Sequence, residues 1–129
     1  MSDFNASMAS SASGMVAQTS RLRLSAENIA NADTPGYRAK QMQFQLQTGA
    51  DGALRVLPGR VELSSLDGER TYQPGHPMAD AEGYFVGSNV NLATEIANAR
   101  EAQRSYEANL RMFDQARQMA SSLIGLLRR

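Results

Sequence analysis

His76 is the only histidine in the chain, with Asp80 four residues beyond it and Glu82 two further on. An imidazole near carboxylates is the minimum from which a divalent-metal site or a general base is built. Here the set stops short. No second histidine and no cysteine completes it. Gly75-His76-Pro77 also sits in a Pro- and Gly-rich stretch, where a spacing of four does not place two side chains on one helical face. Serines are numerous, yet no Gly-x-Ser-x-Gly elbow occurs, and one histidine serves at most one triad. The glycines form neither a dinucleotide fingerprint nor a phosphate loop. The expectation is a protein that is not an enzyme, with no catalytic or metal site, no cofactor and no small-molecule substrate. His76 then packs within its loop or faces solvent.

The overall balance excludes other classes. Thirteen basic and thirteen acidic residues give a net charge of zero, and the basic residues are spread along the chain. Nucleic-acid binding needs them concentrated, so no nucleic acid is expected as a partner. The start of the chain has no Lys or Arg before Arg21 and a small, polar run from Ser7 to Ser13, unlike a secretory signal. Export, if it occurs, is expected to leave that segment in place. Ile, Leu, Val and Phe together make 24 of 129 residues, while Ala alone has 19. So sparse a set of large apolar side chains suggests order completed by partners.

Two helices must frame the loop that holds His76. In the last third, Leu92, Ile96, Ala99, Tyr106, Leu110, Phe113, Ala120, Ile124 and Leu127 step by fours and threes, interrupted at Gln103 and Arg117. That is a heptad seam on an α-helix. Met112, Ala116, Met119, Leu123 and Leu126 widen it. At the start of the chain Met8, Ala12, Met15, Thr19, Leu22, Ala26 and Ile29 follow the same rule. Asp3 suits the positive end of the first helix, and Asn91 is available to cap the second. Ser7, Ser10, Ser11, Ser13 and Gly14 weaken the first helix, which should form only when its stripe is buried. Arg23–Glu27, Glu101–Arg104, Glu107–Arg111 and Asp114–Arg117 are spaced for surface ion pairs.

Between the helices the pattern changes. Pro35-Gly36 is a stop and a turn. Met42 to Thr48 alternates as a half-buried strand, Gly49 to Gly52 turns the chain, and Ala53 to Leu57 forms a second strand. Pro58-Gly59 is expected to turn it again before a third strand over 60–66. Further extended pieces lie at 69–72 and 84–86. The fold class is therefore mainly α: long N- and C-terminal helices paired as a coiled coil, with a small β-rich insert. The divisions are 1–36 for the first helix and turn, 37–88 for the insert and 89–129 for the second helix. Apolar surface on more than one seam near the C-terminus exceeds what a helical hairpin can cover and points to neighbouring chains. A soluble helical-hairpin adaptor binding a partner helix is the alternative. A membrane-surface helix fits less well, because the polar face is not rich in basic residues.

Asn28-Ile29-Ala30-Asn31, followed by Thr34-Pro35-Gly36-Tyr37, resembles the segment that closes the N-terminal helix in bacterial flagellar rod and hook axial proteins. Asn28, Asn31, Thr34, Gly36 and Tyr37 carry the motif. Arg38 to Gln41, the stretch from Tyr72 to Tyr84, Asn89-Val90-Asn91 and Arg104-Ser105-Tyr106-Glu107-Ala108-Asn109 look like the proximal rod branch of that family. His76 departs from the pattern, standing where Asn is expected, and the turn after Asn31 is short. The resemblance implies a structural subunit of the proximal rod of the flagellar basal body, part of the torque-transmitting shaft. It implies export by the flagellar type III export apparatus without a cleaved signal, then assembly in the periplasm with other flagellar rod proteins and basal-body components. On this reading the subunit-interface faces are Met8, Met15, Leu22 and Ile29 on the first helix. On the second they are Leu92, Ile96, Tyr106, Leu110, Phe113, Met119, Leu123, Ile124 and Leu127. Phe4 and Met8 resemble the family's export-gate motif, and they are equally two seam residues of the first helix.

Overall fold

A computed structural model describes residues 2–129. Helix α1 spans Ser2–Ala30, followed by strands β1 (Lys40–Thr48), β2 (Leu54–Leu63), β3 (Arg70–Tyr72) and β4 (Tyr84–Val86), then helix α2 (Leu92–Leu127). Asn91 caps α2 as expected, its side chain accepting a hydrogen bond from the Thr94 amide at 3.1 Å. At 36 residues and ~1.5 Å per residue, α2 is a rod about 54 Å long. The strands form two antiparallel pairs, β1–β2 and β3–β4.

The helices run antiparallel, with Asn28 meeting Glu95, Arg21 meeting Asn98 and Glu101, and Phe4 beside Met119 and Leu123. The rows that meet are small and polar. On α1 they are Ser11, Gly14, Gln18, Arg21, Ser25 and Asn28, stepping by threes and fours; on α2 they are Glu95, Asn98, Ala102, Ser105, Asn109, Ala116 and Ala120. Gly14 lies so close to Asn109 that an added β-carbon would stand 2.7 Å from its side-chain nitrogen. Of the α2 residues anticipated from spacing, half-buried Phe113 and buried Ala120 join this inner row, while Leu92, Ile96, Tyr106, Leu110, Met119, Leu123, Ile124 and Leu127 are exposed. Met8, Met15, Leu22 and Ile29 are half-buried, one position along from the α1 row. Short side chains lie in the interface because only they allow the backbones so near each other.

The surface pairs sort differently from their spacing. Asp114–Arg117 forms at 3.5 Å. Glu27 instead binds Lys40, and Glu101 binds Arg21 across the helix interface at 3.3 Å. In both cases a cation from another element displaces the same-helix partner.

The chain does not turn at Pro58-Gly59, contrary to expectation. One strand, β2, continues from Leu54 to Leu63, and the irregularity is a bulge: Met42 faces Val61 while Phe44 faces Pro58. Gly59 and Arg60 thus oppose Gln43 alone. A β-carbon on Gly59 would collide with the Gln43 carbonyl oxygen, so glycine is required there. Proline is tolerated because alternation from Val56, whose amide points away from β1 to Ser13 Oγ, turns the Pro58 nitrogen the same way. Leu66 falls outside the strand.

The hairpin docks on α1 by the edge of β2. Ser10 Oγ donates to the Leu54 carbonyl at 2.5 Å, and Ser13 Oγ accepts from the Val56 amide at 3.0 Å. A two-stranded hairpin alone is marginal in water, so these side chains act as the third strand's substitute. Gly59→Ala is expected to lower stability by about 1–3 kcal/mol, since backbone must move to admit the methyl. Urea unfolding of the two proteins measures it, and an unchanged midpoint would refute the steric requirement.

Candidate functional site

Two features of the surface and one junction carry the functional reading. The junction is Asn28, 1% exposed and the largest fully buried side chain. Its Nδ2 donates to the Lys40 carbonyl at 2.8 Å and to Glu95 Oε1 at 3.1 Å. Its Oδ1 accepts from the Tyr37 hydroxyl at 2.9 Å and from the Lys40 amide at 2.8 Å. One amide therefore joins the end of α1, the start of β1 and the first turn of α2. Burial, and then the Glu27 charge, hold the Tyr37 phenol above its ordinary value, and the hydrogen bond from Lys40 to Glu27 does the same for the ammonium.

The rest of the motif shapes the turn that brings these groups together. Asn31 Nδ2 donates back to the Glu27 carbonyl at 2.9 Å, and Thr34 Oγ1 donates to Asn31 Oδ1 at 3.1 Å. Gly36, at φ 74°, takes the left-handed conformation, and its amide donates to the Val86 carbonyl at 3.1 Å. Asn89 mirrors Asn28 on the other connection: it accepts from the Ala39 amide at 2.6 Å and donates to the Leu66 carbonyl at 2.8 Å. The resemblance at Asn89-Val90-Asn91 marked Asn89 without giving it a role, because its partners lie 23 to 50 residues away in the chain. Ser88, donating to the Ala32 carbonyl at 2.7 Å, was missed for the same reason.

His76 packs within its loop. Its ring stacks on Phe85 with centroids 3.9 Å apart, and Nδ1 accepts the Met78 amide at 3.0 Å. Asp80 is a loop organiser: Oδ1 accepts from the Glu82 and Tyr84 amides, both at 2.9 Å, and Oδ2 faces Arg70. Arg70 in turn lies 4.7 Å over the Tyr84 ring, which meets Tyr72 edge-on. Among the described residues no cluster of His, Cys, Asp and Glu could hold a metal ion. The cavity beside the junction, about 410 Å³, is lined by Arg21, Lys40, Met42, Asn89 and Glu95 among others, and nothing in it pairs a nucleophile with a base.

The first surface feature is the exposed apolar row of α2. Ile96 is 43% exposed, Leu110 41% and Leu127 77%, and Met112, Met119, Leu123 and Leu126 extend the patch along the same helix. Scattered apolar residues on a surface are ordinary, but so many along one helix form an apolar face, although Gln103 and Arg117 interrupt it. The second feature is the β1–β2 hairpin, whose Leu46, Leu54, Val61 and Leu63 are also exposed.

The chain thus presents antiparallel terminal helices, a small β insert and an exposed apolar helix face. Comparison with known sequences identifies the family. The family described as flagella basal body rod protein matches residues 8–38, and that described as flagellar basal body rod FlgEFG protein C-terminal matches residues 81–126. The chain is 41% identical over 124 residues to the flagellar basal-body rod protein FlgC of Agrobacterium fabrum, covering 90% of this chain and 89% of that one. It is 37% identical over 116 residues to FlgC of Salmonella typhimurium (83% and 85% covered). Over 120 residues it is 35% identical to FlgC of Buchnera aphidicola, with the same coverage. The chain belongs to the FlgC family of flagellar basal-body rod proteins. These are structural proteins of the rod, not enzymes, and the rod of the flagellar basal body is where the family is placed.

Asn28→Ala would leave the Lys40 amide and Glu95 without their buried partner, an expected loss on the order of 2–4 kcal/mol. Thermal unfolding measures it; a loss under ~1 kcal/mol would mean water replaces the amide. Asp80 gives a pH dependence. Chiefly the Tyr84 amide, then the Glu82 amide and the Arg70 charge, hold its carboxyl below the usual value. A depressed folded value means its contribution is present above the unfolded carboxylate value, about 4, and is lost as pH falls through the folded one. Protection of the amides over 80–84, corrected for the intrinsic pH dependence of exchange, should therefore fall as pH drops below about 4, and Asp80→Asn should remove that step.

Proposed function

We propose that this chain assembles through its terminal helices into the proximal rod, the torque-transmitting shaft of bacterial motility. The exposed row from Leu92 to Leu127 carries this reading. Burying such a side chain fully is worth about 1.5–3 kcal/mol, so a row of them against neighbours stiffens a tube strongly. Met8, Met15, Leu22 and Ile29, already half-covered, complete their burial in the same contacts, and the helices then share a coiled-coil layer with those of adjacent subunits. Other flagellar rod proteins and basal-body components are the partners. Delivery is by the flagellar type III export apparatus into the periplasm, with Phe4 and Met8 presented to it as an export motif before α1 folds.

The propensity of α1 suits this route. Its serines and Gly14 make a weak helix in isolation, easily kept unfolded in transit and ordered when its contacts form. An adaptor docking one partner helix would use one stripe only, whereas apolar residues on α2 spread beyond a single seam toward the C-terminus. Ile96→Asp and Leu110→Asp test the proposal. Both side chains are exposed in the monomer, so unfolding midpoints should hold within about 0.5 kcal/mol while rod assembly and swimming are lost. A normally motile strain carrying either would sink it.

A further inference from the structure

The two ends of the helix pair differ in charge and in cover. Carried along the helices, the pairing that sets Asn28 against Glu95 and Gly14 against Asn109 brings Ser2 level with Ser121. Leu123 to Leu127 thus run on past the described part of α1, with Leu126 67% and Leu127 77% exposed. Arg128 and Arg129 follow, and there is no acidic residue beyond Asp114. At the other end of the pair, where α1 stops and α2 starts, there is an open cavity of about 680 Å³. Half-buried Phe85 and Val90 line it with Leu92, as do exposed Asp33, Asp67 and Glu69. No Lys or Arg lines it. Among the described residues, neither these three carboxylates nor the two arginines enter an ion pair.

We propose that this cavity is the seat for the end of α2 of a second copy, Leu126 to Arg129, in a head-to-tail contact. An apolar helix end followed by two arginines meets a cavity that offers apolar wall and three unpaired carboxylates, so each side supplies what the other lacks. The contact is heterologous, using a different patch on each copy. The two patches lie at opposite ends of one rod about 54 Å long. Sliding a copy along α2 therefore joins them with both copies pointing the same way. That polarity is the one a shaft requires, and in this respect the inference rests on the assembly reading above. A two-fold contact of helix ends would instead set arginines against arginines and leave the carboxylates uncovered. Leu126 and Leu127 lose water on docking and supply most of the attraction, while the charges choose the partner and its orientation. A contact made by one helix end is weak in solution, so its detection needs a trap.

With no native cysteine, disulfide trapping in the full-length protein reads the contact directly. Leu127→Cys mixed with Ala93→Cys, which lies in the cavity lining, should give the mixed disulfide well above either self-dimer. Leu127→Cys mixed with Leu46→Cys on the exposed hairpin should not. Arg128→Glu with Arg129→Glu should cut the yield about tenfold, and Asp67→Arg with Glu69→Arg in the other copy should restore it. These side chains are all exposed, so circular-dichroism unfolding curves should stay in place. If a charge variant misfolds, salt gives the answer with the arginines intact: the yield should fall several-fold between about 0.05 and 0.5 M. Leu110→Asp should leave the cross-link, which separates failure of this contact from failure of the α2 row. No preference for the mixed disulfide, full yield after charge reversal in a folded protein, reversal without restoration, or a yield indifferent to salt overturns the proposal. So does trapping of Leu127→Cys in purified basal bodies exclusively to a different chain.

Discussion

The close approach of α1 and α2 along short side chains is the constraint on which the other features depend. Gly14 against Asn109, with Ala17, Ala102, Ala116 and Ala120 buried, allows backbones to pass where no Leu or Ile would fit. Each helix has a limited circumference. Once its inner row is given to small and polar residues, its large apolar residues must lie to the side or outside. The exposed row of α2 is thus a consequence of how the monomer closes, and closing it by small residues keeps that row available.

Polar groups in the same interface set register more than strength. Arg21 reaches Asn98 and Glu101, and Asn28 reaches Glu95, across two helices that alanine packing alone would let slide by a turn. Exposed or half-exposed ion pairs of this kind contribute little net stability, whereas a misregistered pairing would take Glu95 away from the buried Asn28 amide. Asn28 also fixes where the insert begins, because the same amide holds both backbone groups of Lys40. From that point β1 has one possible direction, and Ser10 and Ser13 meet β2 at Leu54 and Val56.

Much of this was legible in the residues, and the failures share a cause. Heptad spacing located both helices, and alternation located β1, because those signals are local. Spacing also drew attention to the larger apolar row, while the interface lies on the neighbouring row of Ser, Gly, Ala and Asn. Pattern reading weights residues by hydrophobicity, and a contact made by small residues is invisible to it. The serines of α1 were legible only as weak helix formers; two of them clamp the hairpin, a pairing across more than forty residues of chain. Pro58-Gly59 reads as a turn by composition, but the free side of an edge strand and the space opposite Gln43 let the same dipeptide make a bulge. The junction at Asn28 was reached through its motif, and its four hydrogen bonds needed coordinates.

The composition of the core carries the last step. Among the described residues the buried apolar ones are all alanines, Ala17, Ala53, Ala102, Ala116 and Ala120, and the largest fully buried side chain is an asparagine. Hydrophobic stabilisation scales with apolar area removed from water, and alanine offers little of it. The larger apolar side chains are half-buried or exposed, so much of the apolar area in this sequence is left uncovered by the single chain. A chain built in this way is specified by hydrogen bonds and close packing, and leaves its larger apolar groups free for contacts outside it. In the assembly proposed above, the groups that define the shape are internal and the groups that would supply the strength are outside.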